Sequence, residues 1–357
     1  MAITVYENSI VIGGTTISNT PTGIRIDGGS SSTLKGFTAA VIRNESSGNM
    51  LGATYSFLSG NTPNPAQPTV MRYAFASQVT TTDVGTLSQY SAAGAPASST
   101  TSGYTHAGGY QAKYTNKFPF AATGFTSTNW IGVSPGNMYG AYLSTGSLQS
   151  ATNGYIGPRR QQGGEPYSYV NTILKYPFST DNWTTAQSGT GASSKGLLQC
   201  HSSTINGYMS GGTAGPLNSS PGSTTIDKFW FASDSDAKTI GNVIVSGINN
   251  QACISTNLNG YIAYNSQSPQ PAVSYIQRFP FVVDSNTTDV GDLIQYRELA
   301  AGTGSRDGYG FITSGIIAPY TGGTRTSVER FAFANETLIA LAGDIPIARY
   351  RFNTHQI

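Results

Sequence analysis

The sequence predicts an all-β chain: a six-bladed β-propeller preceded by a short N-terminal β-arm. Three recurrences carry that expectation. The first is a tetrapeptide of a basic residue, an aromatic, a small or rigid residue and Phe. It occurs at Arg72–Phe75, Lys117–Phe120, Lys175–Phe178, Lys228–Phe231, Arg278–Phe281 and Arg330–Phe333, in steps of 45, 58, 53, 50 and 52 residues. The second is Gly-Tyr between the tetrapeptides, at Tyr104, Tyr155, Tyr208, Tyr261 and Tyr309. The third is a glycine thirteen residues after the basic residue, at Gly85, Gly241, Gly291 and Gly343. In the second copy it falls two residues later, at Gly132, and the third copy lacks it.

A period near 50 residues built from short alternating runs is the signature of propeller blades. YIQRFPFVV and GDLIQY alternate at period two, with Gly- and Ser-rich turns between such runs. No segment sustains a helical period. Six copies predict six blades over residues 49–357, each of about four strands.

A ring needs a join. The chain ends beyond the Arg330 copy with no further Gly-Tyr segment, while ATYSFLSG near Tyr55 has no tetrapeptide before it. The expectation is that residues near 50–60 complete the last blade, Tyr55 pairing with Arg330–Asn335 or Asp344–Arg349. The alternative phase starts each blade at Gly-Tyr. Either closure removes strand edges that would otherwise invite aggregation. Residues 1–48 remain outside the ring. TVYENSIVI and TGIRI read as two or three strands, too short and polar to hold a core alone. This arm is expected to dock on the propeller or on another chain.

Composition narrows the chemistry. Of 357 residues only 10% are charged, against about 25% in ordinary soluble domains. With 38% hydrophobic residues and 21 Tyr, the chain can still build a core. A net charge of +2 gives no electrostatic basis for nucleic-acid binding. No apolar run reaches the length of a membrane span, so no membrane insertion is expected. The N-terminal residues lack the pattern of a secretory signal. Two cysteines, Cys200 and Cys253, fall at equivalent places in adjacent repeats. They are expected to be small buried thiols, because equivalent strands of neighbouring blades lie too far apart for a disulfide.

A residue present in every blade serves packing, whereas function resides in what one blade has alone. The six basic residues could line an anion channel. The simpler expectation lays each stem on the neighbouring blade with its charge paired at the rim. Asp181, Asp234, Asp284 and Glu336 recur six positions after the basic residue. They suggest a carboxylate ring for Ca²⁺, but turn carboxylates that accept nearby backbone N–H groups are the simpler reading. Asp234 with Asp236, and Asp289 with Asp292, lack the six to eight oxygens of a calcium loop. His106, His201 and His355 do not cluster in sequence. The expectation is no metal, no cofactor and no catalytic residue. The unique segments are GPRRQQGGEPY, with Arg159, Arg160 and Tyr167, and NMYGAY, with Tyr139 and Tyr142. These five residues are the candidates for contacting a polar ligand.

RFPFVVDSNTTDVGDL, KYPFSTDNW, RFAFAN and NGYMSGG carry a resemblance to the kelch-like or RCC1-like propeller repeats of structural proteins of tailed bacteriophages, over about residues 49–357. The resemblance implies a non-enzymatic virion protein, made in the host cytoplasm and carried on a tail, neck or baseplate appendage. Head decoration and a carbohydrate-binding host-recognition module are the alternatives. It also implies a symmetric multi-copy assembly, other virion proteins as partners of residues 1–48, and host surface glycan as a further partner. A propeller glycosidase or lyase would need two carboxylates about 5–10 Å apart, and the sequence offers no convincing pair.

Overall fold

A computed structural model describes residues 3–6, 9–12, 15–20, 23–27, 52, 54–60, 68–75, 80–88, 94–106, 115–130, 146–161, 168–182, 187–191, 195–196, 198–212, 222–244, 252–266, 273–295, 297, 299–316, 323–336, 338–349 and 353–356. The chain divides into two compact units, Met1–Glu45 and Ser46–Ile357.

The larger unit is a six-bladed β-propeller of antiparallel four-stranded blades, the first of them extended by the short parallel strand Phe125–Thr126. Blade 2 runs Ala95–Ser98, Ser102–His106, Thr115–Pro119, Thr128–Trp130 from inside to outside, and blade 3 Ser147–Gln149, Asn153–Ile156, Thr172–Pro177, Gln187–Thr190. Blade 4 is Gln199–Ser202, Asn206–Ser210, Thr225–Trp230, Lys238–Asn242. Blade 5 is Ala252–Ser255, Asn259–Ser266, Val273–Pro280, Thr288–Gly291, and blade 6 is Ala301–Ser305, Tyr309–Thr313, Ser327–Ala332, Leu338–Asp344. Every tetrapeptide lies on or at the end of the third strand of its blade.

Blade 1 is the mixed one. Its inner strand is Asn353–Gln356, paired antiparallel with Tyr55–Ser59, which pairs with Thr69–Ala74 and then Thr82–Thr86. This corrects the expected closure. Tyr55 belongs with the Arg72 tetrapeptide, and the C-terminal strand completes the first blade rather than residues near 50–60 completing the last. The reason is register: a blade begins one strand before Gly-Tyr, so the surplus strand lies at the C-terminus.

The core is divided into six clusters, one in each wedge between neighbouring blades. This explains the repeated phrase. The first aromatic of each tetrapeptide, Tyr73, Phe118, Tyr176, Phe229, Phe279 or Phe331, is fully buried. It lies opposite a small residue of the second strand: Ser56, Gly103, Gly154, Gly207, Gly260 or Gly310. A Cβ at Gly260 would come within 2.5 Å of the Phe279 ring, and one at Gly154 within 2.1 Å of the Tyr176 ring. The next second-strand residue stacks on or leans against the closing Phe of the following blade. The six contacts are Phe57–Phe120, Tyr104–Phe178, Tyr155–Phe231, Tyr208–Phe281, Tyr261–Phe333 and Phe311–Phe75, with centroids 4.5–5.3 Å apart. The equivalent of Gly-Tyr in blade 6 is therefore Gly310-Phe311, two residues beyond the Gly308-Tyr309 that the sequence suggests.

The smaller unit is a meander of four strands, Ile3–Tyr6, Ser9–Ile12, Thr15–Thr20 and Gly23–Asp27, one more than the two or three expected. Two-residue connections join them, because Tyr6 pairs with Ser9, Ile12 with Thr15 and Thr20 with Gly23. The register puts Val5, Ile10, Ile17 and Ile26 in one row across the sheet. By strand alternation Ile3, Ile12 and Ile24 occupy the same face.

Candidate functional site

The rim is built from the basic position of each tetrapeptide. Four of the six cations reach the following blade and pair with the carboxylate at the equivalent turn. Lys117 pairs with Asp181, Lys175 with Asp234 at 2.6 Å, Lys228 with Asp284 at 2.9 Å and Arg278 with Glu336 at 2.6 Å. This is the stem-on-neighbour arrangement expected of the basic residues. It also revises the expected role of the four acids, whose chief partners are cations of the preceding blade rather than nearby backbone. Asp181, Asp234 and Glu336 have φ of 53°, 46° and 57°, each closing a turn whose N–H donates to the carbonyl four residues back. Two tyrosines reinforce the pairs. Tyr104 donates its hydroxyl to Asp181 at 3.0 Å and Tyr261 to Glu336 at 3.2 Å. Burial first, then the adjacent carboxylate, pushes both phenols up.

Arg72 and Arg330 depart from this pattern. Each guanidinium lies over a tyrosine of its own blade, Arg72 over Tyr55 at 4.5 Å and Arg330 over Tyr309 at 4.8 Å. Those tyrosines occur two residues before the position that holds tyrosine in blades 2 to 5, opposite Ala74 and Ala332. The other four tetrapeptides carry Pro or Trp at that third place. Among the described residues, neither arginine has a carboxylate partner or a hydrogen-bond acceptor.

The residue before each basic one fixes the connection from the preceding blade. In blades 2, 4, 5 and 6 it is buried and polar: Asn116, Asp227, Gln277 and Glu329. Asn116 accepts the Ser88 hydroxyl, and Gln277 accepts the Ile244 N–H at 3.0 Å. Glu329 accepts the N–H groups of Ile294 and Gln295 and pairs with Arg297 at 2.5 Å. Lys195 lies 3.1 Å from Asp227, both side chains fully buried. The Asp227 Oδ2 facing Lys195 makes no well-angled hydrogen bond, while Oδ1 accepts the Thr239 hydroxyl. Blade 1 has Met71 here. Its connection cation, Arg349, is fully buried against the carbonyls of Gly60 and Thr69, and desolvation pulls it down to about 10. The sequence carries this feature as a polar residue before the basic one in four of the six tetrapeptides.

The inner strands line a partly open cavity of about 100 Å³ on the ring axis, to which all six blades contribute uncharged residues. One residue per blade forms a chain of hydrogen bonds round it. Ser98 N–H donates to Gln149, Gln149 N–H to Ser202 and Ser202 N–H to Ser255. Gly304 N–H donates to Gln356, and Gln356 N–H to Ser98. The chain is interrupted between Ser255 and Gly304, where glycine offers no acceptor side chain. Cys200 and Cys253 line the same cavity as free thiols, Cys200 buried and Cys253 partly so, and desolvation pushes both up.

The three histidines are buried between or within blades. His201 donates Nδ1–H to the Ile254 carbonyl at 3.2 Å and meets Phe279 edge-on. His355, its counterpart in blade 1, donates to the Ala97 carbonyl at 3.1 Å and meets Phe118 edge-on. His106 lies between the hydroxyls of Thr115 at 2.8 Å and Tyr176 at 2.6 Å. Burial pulls His201 and His355 down to about 4 and His106 to about 3, so all three are neutral at pH 7. Among the described residues no three of His, Cys, Asp and Glu gather as a metal site. Asp236 accepts the Thr190 N–H of the preceding blade, and Asp289 the N–H of Gly291.

Of the five ligand candidates from the sequence, Arg159 and Arg160 lie on Arg159–Gln161, a strand paired with Ser168–Val170 in a two-stranded sheet outside the blade sheets. Tyr139, Tyr142 and Tyr167 fall outside the described residues. No helix among the described residues is long and apolar enough to cross a membrane. Compared with known proteins, no family model matches the chain and no curated protein matches it.

Proposed function

We propose that the chain is a non-enzymatic structural protein of a tailed-phage virion, carried on a tail, neck or baseplate appendage. Its propeller is displayed outward, and residues 1–48 dock to other virion proteins. One observation carries this reading: the separate N-terminal unit, a four-stranded sheet with seven aliphatic positions on one face. A sheet that is apolar on one face must bury that face against another element. The propeller supports the non-enzymatic part. Its histidines are neutral and buried, four of its rim cations are paired between blades, and its axial cavity has an uncharged lining. General acid–base chemistry requires a titratable group poised in a cleft.

The test is reconstitution of particles that lack this protein, using the full chain and residues 49–357. Incorporation of the full chain alone is expected. Equal incorporation of both would place docking on the propeller and remove the role assigned to the arm.

A further inference from the structure

Two buried ion pairs tie a blade connection to the third strand of the blade it enters, and they are satisfied unequally. In blade 6 the Arg297 guanidinium donates to the carbonyls of Ile312, Ser314 and Ser327, while Glu329 accepts the N–H groups of Ile294 and Gln295. Each charge there has neutral dipoles round it besides its partner. In blade 4 Lys195 donates to Thr225, to the hydroxyl at 2.7 Å and to the carbonyl at 3.2 Å. Asp227 Oδ1 accepts the Thr239 hydroxyl at 2.9 Å. Its Oδ2 lies 3.1 Å from Lys195 Nζ and makes no well-angled hydrogen bond, although neither side chain has any exposure. Desolvation of two such charges outweighs what an imperfect pairing returns. Burial accordingly pulls Lys195 down towards the neutral amine. A neutral amine is a nucleophile, and the carboxyl carbon of Asp227 is one bond from the oxygen it faces.

We propose that Lys195 and Asp227 close an intramolecular isopeptide bond, cross-linking the connection that enters blade 4 to that blade's third strand. One ammonium proton first passes from Nζ to Oδ2, replacing two buried charges with an amine and a carboxylic acid. Nζ then adds to Cγ. The Thr239 hydroxyl, already on Oδ1, stabilises the negative charge that gathers there. The two Thr225 oxygens hold the amine in place. As the addition product collapses, the Cγ–Oδ2 bond breaks and a second proton from Nζ joins Oδ2, which leaves as water. The products are one neutral amide and one water, so the step needs no oxidant or other reagent. Contact held by the fold makes it unimolecular. The Arg297–Glu329 pair is the internal control, because a guanidinium stays charged and is no nucleophile. In a chain whose two cysteines are free thiols, the cross-link would constrain the unfolded state as a disulfide does. The inference goes beyond the virion reading and does not depend on it.

The experiment measures the mass of the purified, denatured full-length chain and of its tryptic peptides. The parent is expected to be one water lighter than its sequence. Trypsin should fail to cut after Lys195, and a branched peptide should join that segment to the one carrying Asp227. Lys195→Arg keeps the charge but supplies no nucleophile, so it should return to its full sequence mass, as should Asp227→Ala. A parent at full sequence mass, with ordinary cleavage after Lys195, would overturn the proposal. So would a water deficit that persists in Lys195→Arg. A deficit that maps instead to Asp307-Gly308, where an aspartate before glycine can lose water by closing on its own backbone, would overturn it as well. The parent alone decides the question, so a variant that fails to fold does not weaken the test. Incorporation into particles reports separately on the virion reading.

Discussion

His355 lies directly opposite Phe57 in the antiparallel ladder that joins the end of the propeller to its beginning. The imidazole also shares hydrogen bonds with Ser59 at 2.9 Å and Thr105 at 3.0 Å, tying the C-terminal strand to blades 1 and 2. Removing residues 353–357 deletes the inner strand of blade 1 and uncovers the edge of Tyr55–Ser59. The truncated chain is expected to melt at lower temperature and to form aggregates in light scattering. Unchanged melting of a monomer would show that the ring is held without its C-terminal strand.

The buried histidines set an acid limit. An unfolded imidazole titrates near 6.5, whereas His201 and His355 titrate at about 4 in the fold. Between those values the unfolded chain binds more protons, so stability rises with pH. The contribution is fully present above about pH 6.5 and is lost as the pH falls towards 4. For His201 alone it amounts to about 3 kcal/mol. Urea unfolding at a series of pH values should show this loss, and His201→Gln should flatten the slope while lowering stability at pH 7.

Ion pairs at the rim and in the wedge should differ in cost. Lys175 and Asp234 are about a quarter and a third exposed, and exposed pairs contribute roughly 0–1 kcal/mol. Asp234→Asn, which keeps a side chain tolerant of the φ of 46° at this turn, is therefore expected to shift the urea midpoint only slightly. Asp227→Asn leaves Lys195 buried without its counter-charge, and removing one partner of such a pair costs about 3–5 kcal/mol. Equal effects from the two substitutions would contradict this difference. Chelators are expected to leave the melting temperature unchanged, since the rim carboxylates already hold cations of the chain.

The close approach at Gly260 gives a packing test. Its missing Cβ would lie 2.5 Å from Phe279 and 3.1 Å from His201. Gly260→Ala is expected to cost about 1–3 kcal/mol by overpacking the wedge. Restoring space with Gly260→Ala in a Phe279→Leu background should recover part of that loss. Additive losses in the double variant would show that the two side chains do not compete for the same space.

The blade count was legible because each blade must bury the same wedge, and the same wedge needs the same aromatics at the same spacing. The tetrapeptide Arg278–Phe281 and the glycine opposite it are local consequences of that packing, so they recur in the sequence. The inter-blade pairing of the rim cations was legible too, since a long stem at a fixed strand position can reach only its neighbour. The phase of the ring was not. Tyr55 and Asn353 are almost 300 residues apart in the chain, and which strand fills blade 1 is decided by hydrogen-bond register between chain ends, which leaves no periodic mark. The departure of Arg72 from the rim pattern was hidden for a related reason. One extra residue in the blade 2 turn separates Lys117 from Ser127, and only the bond between Ser127 and Thr86 reveals the shift. The sequence by itself determined the repeat, its composition and the residues each wedge requires. The tertiary structure decided which strand closes the ring and which rim cations find an anion in the next blade, because both depend on contacts between blades that local spacing does not encode.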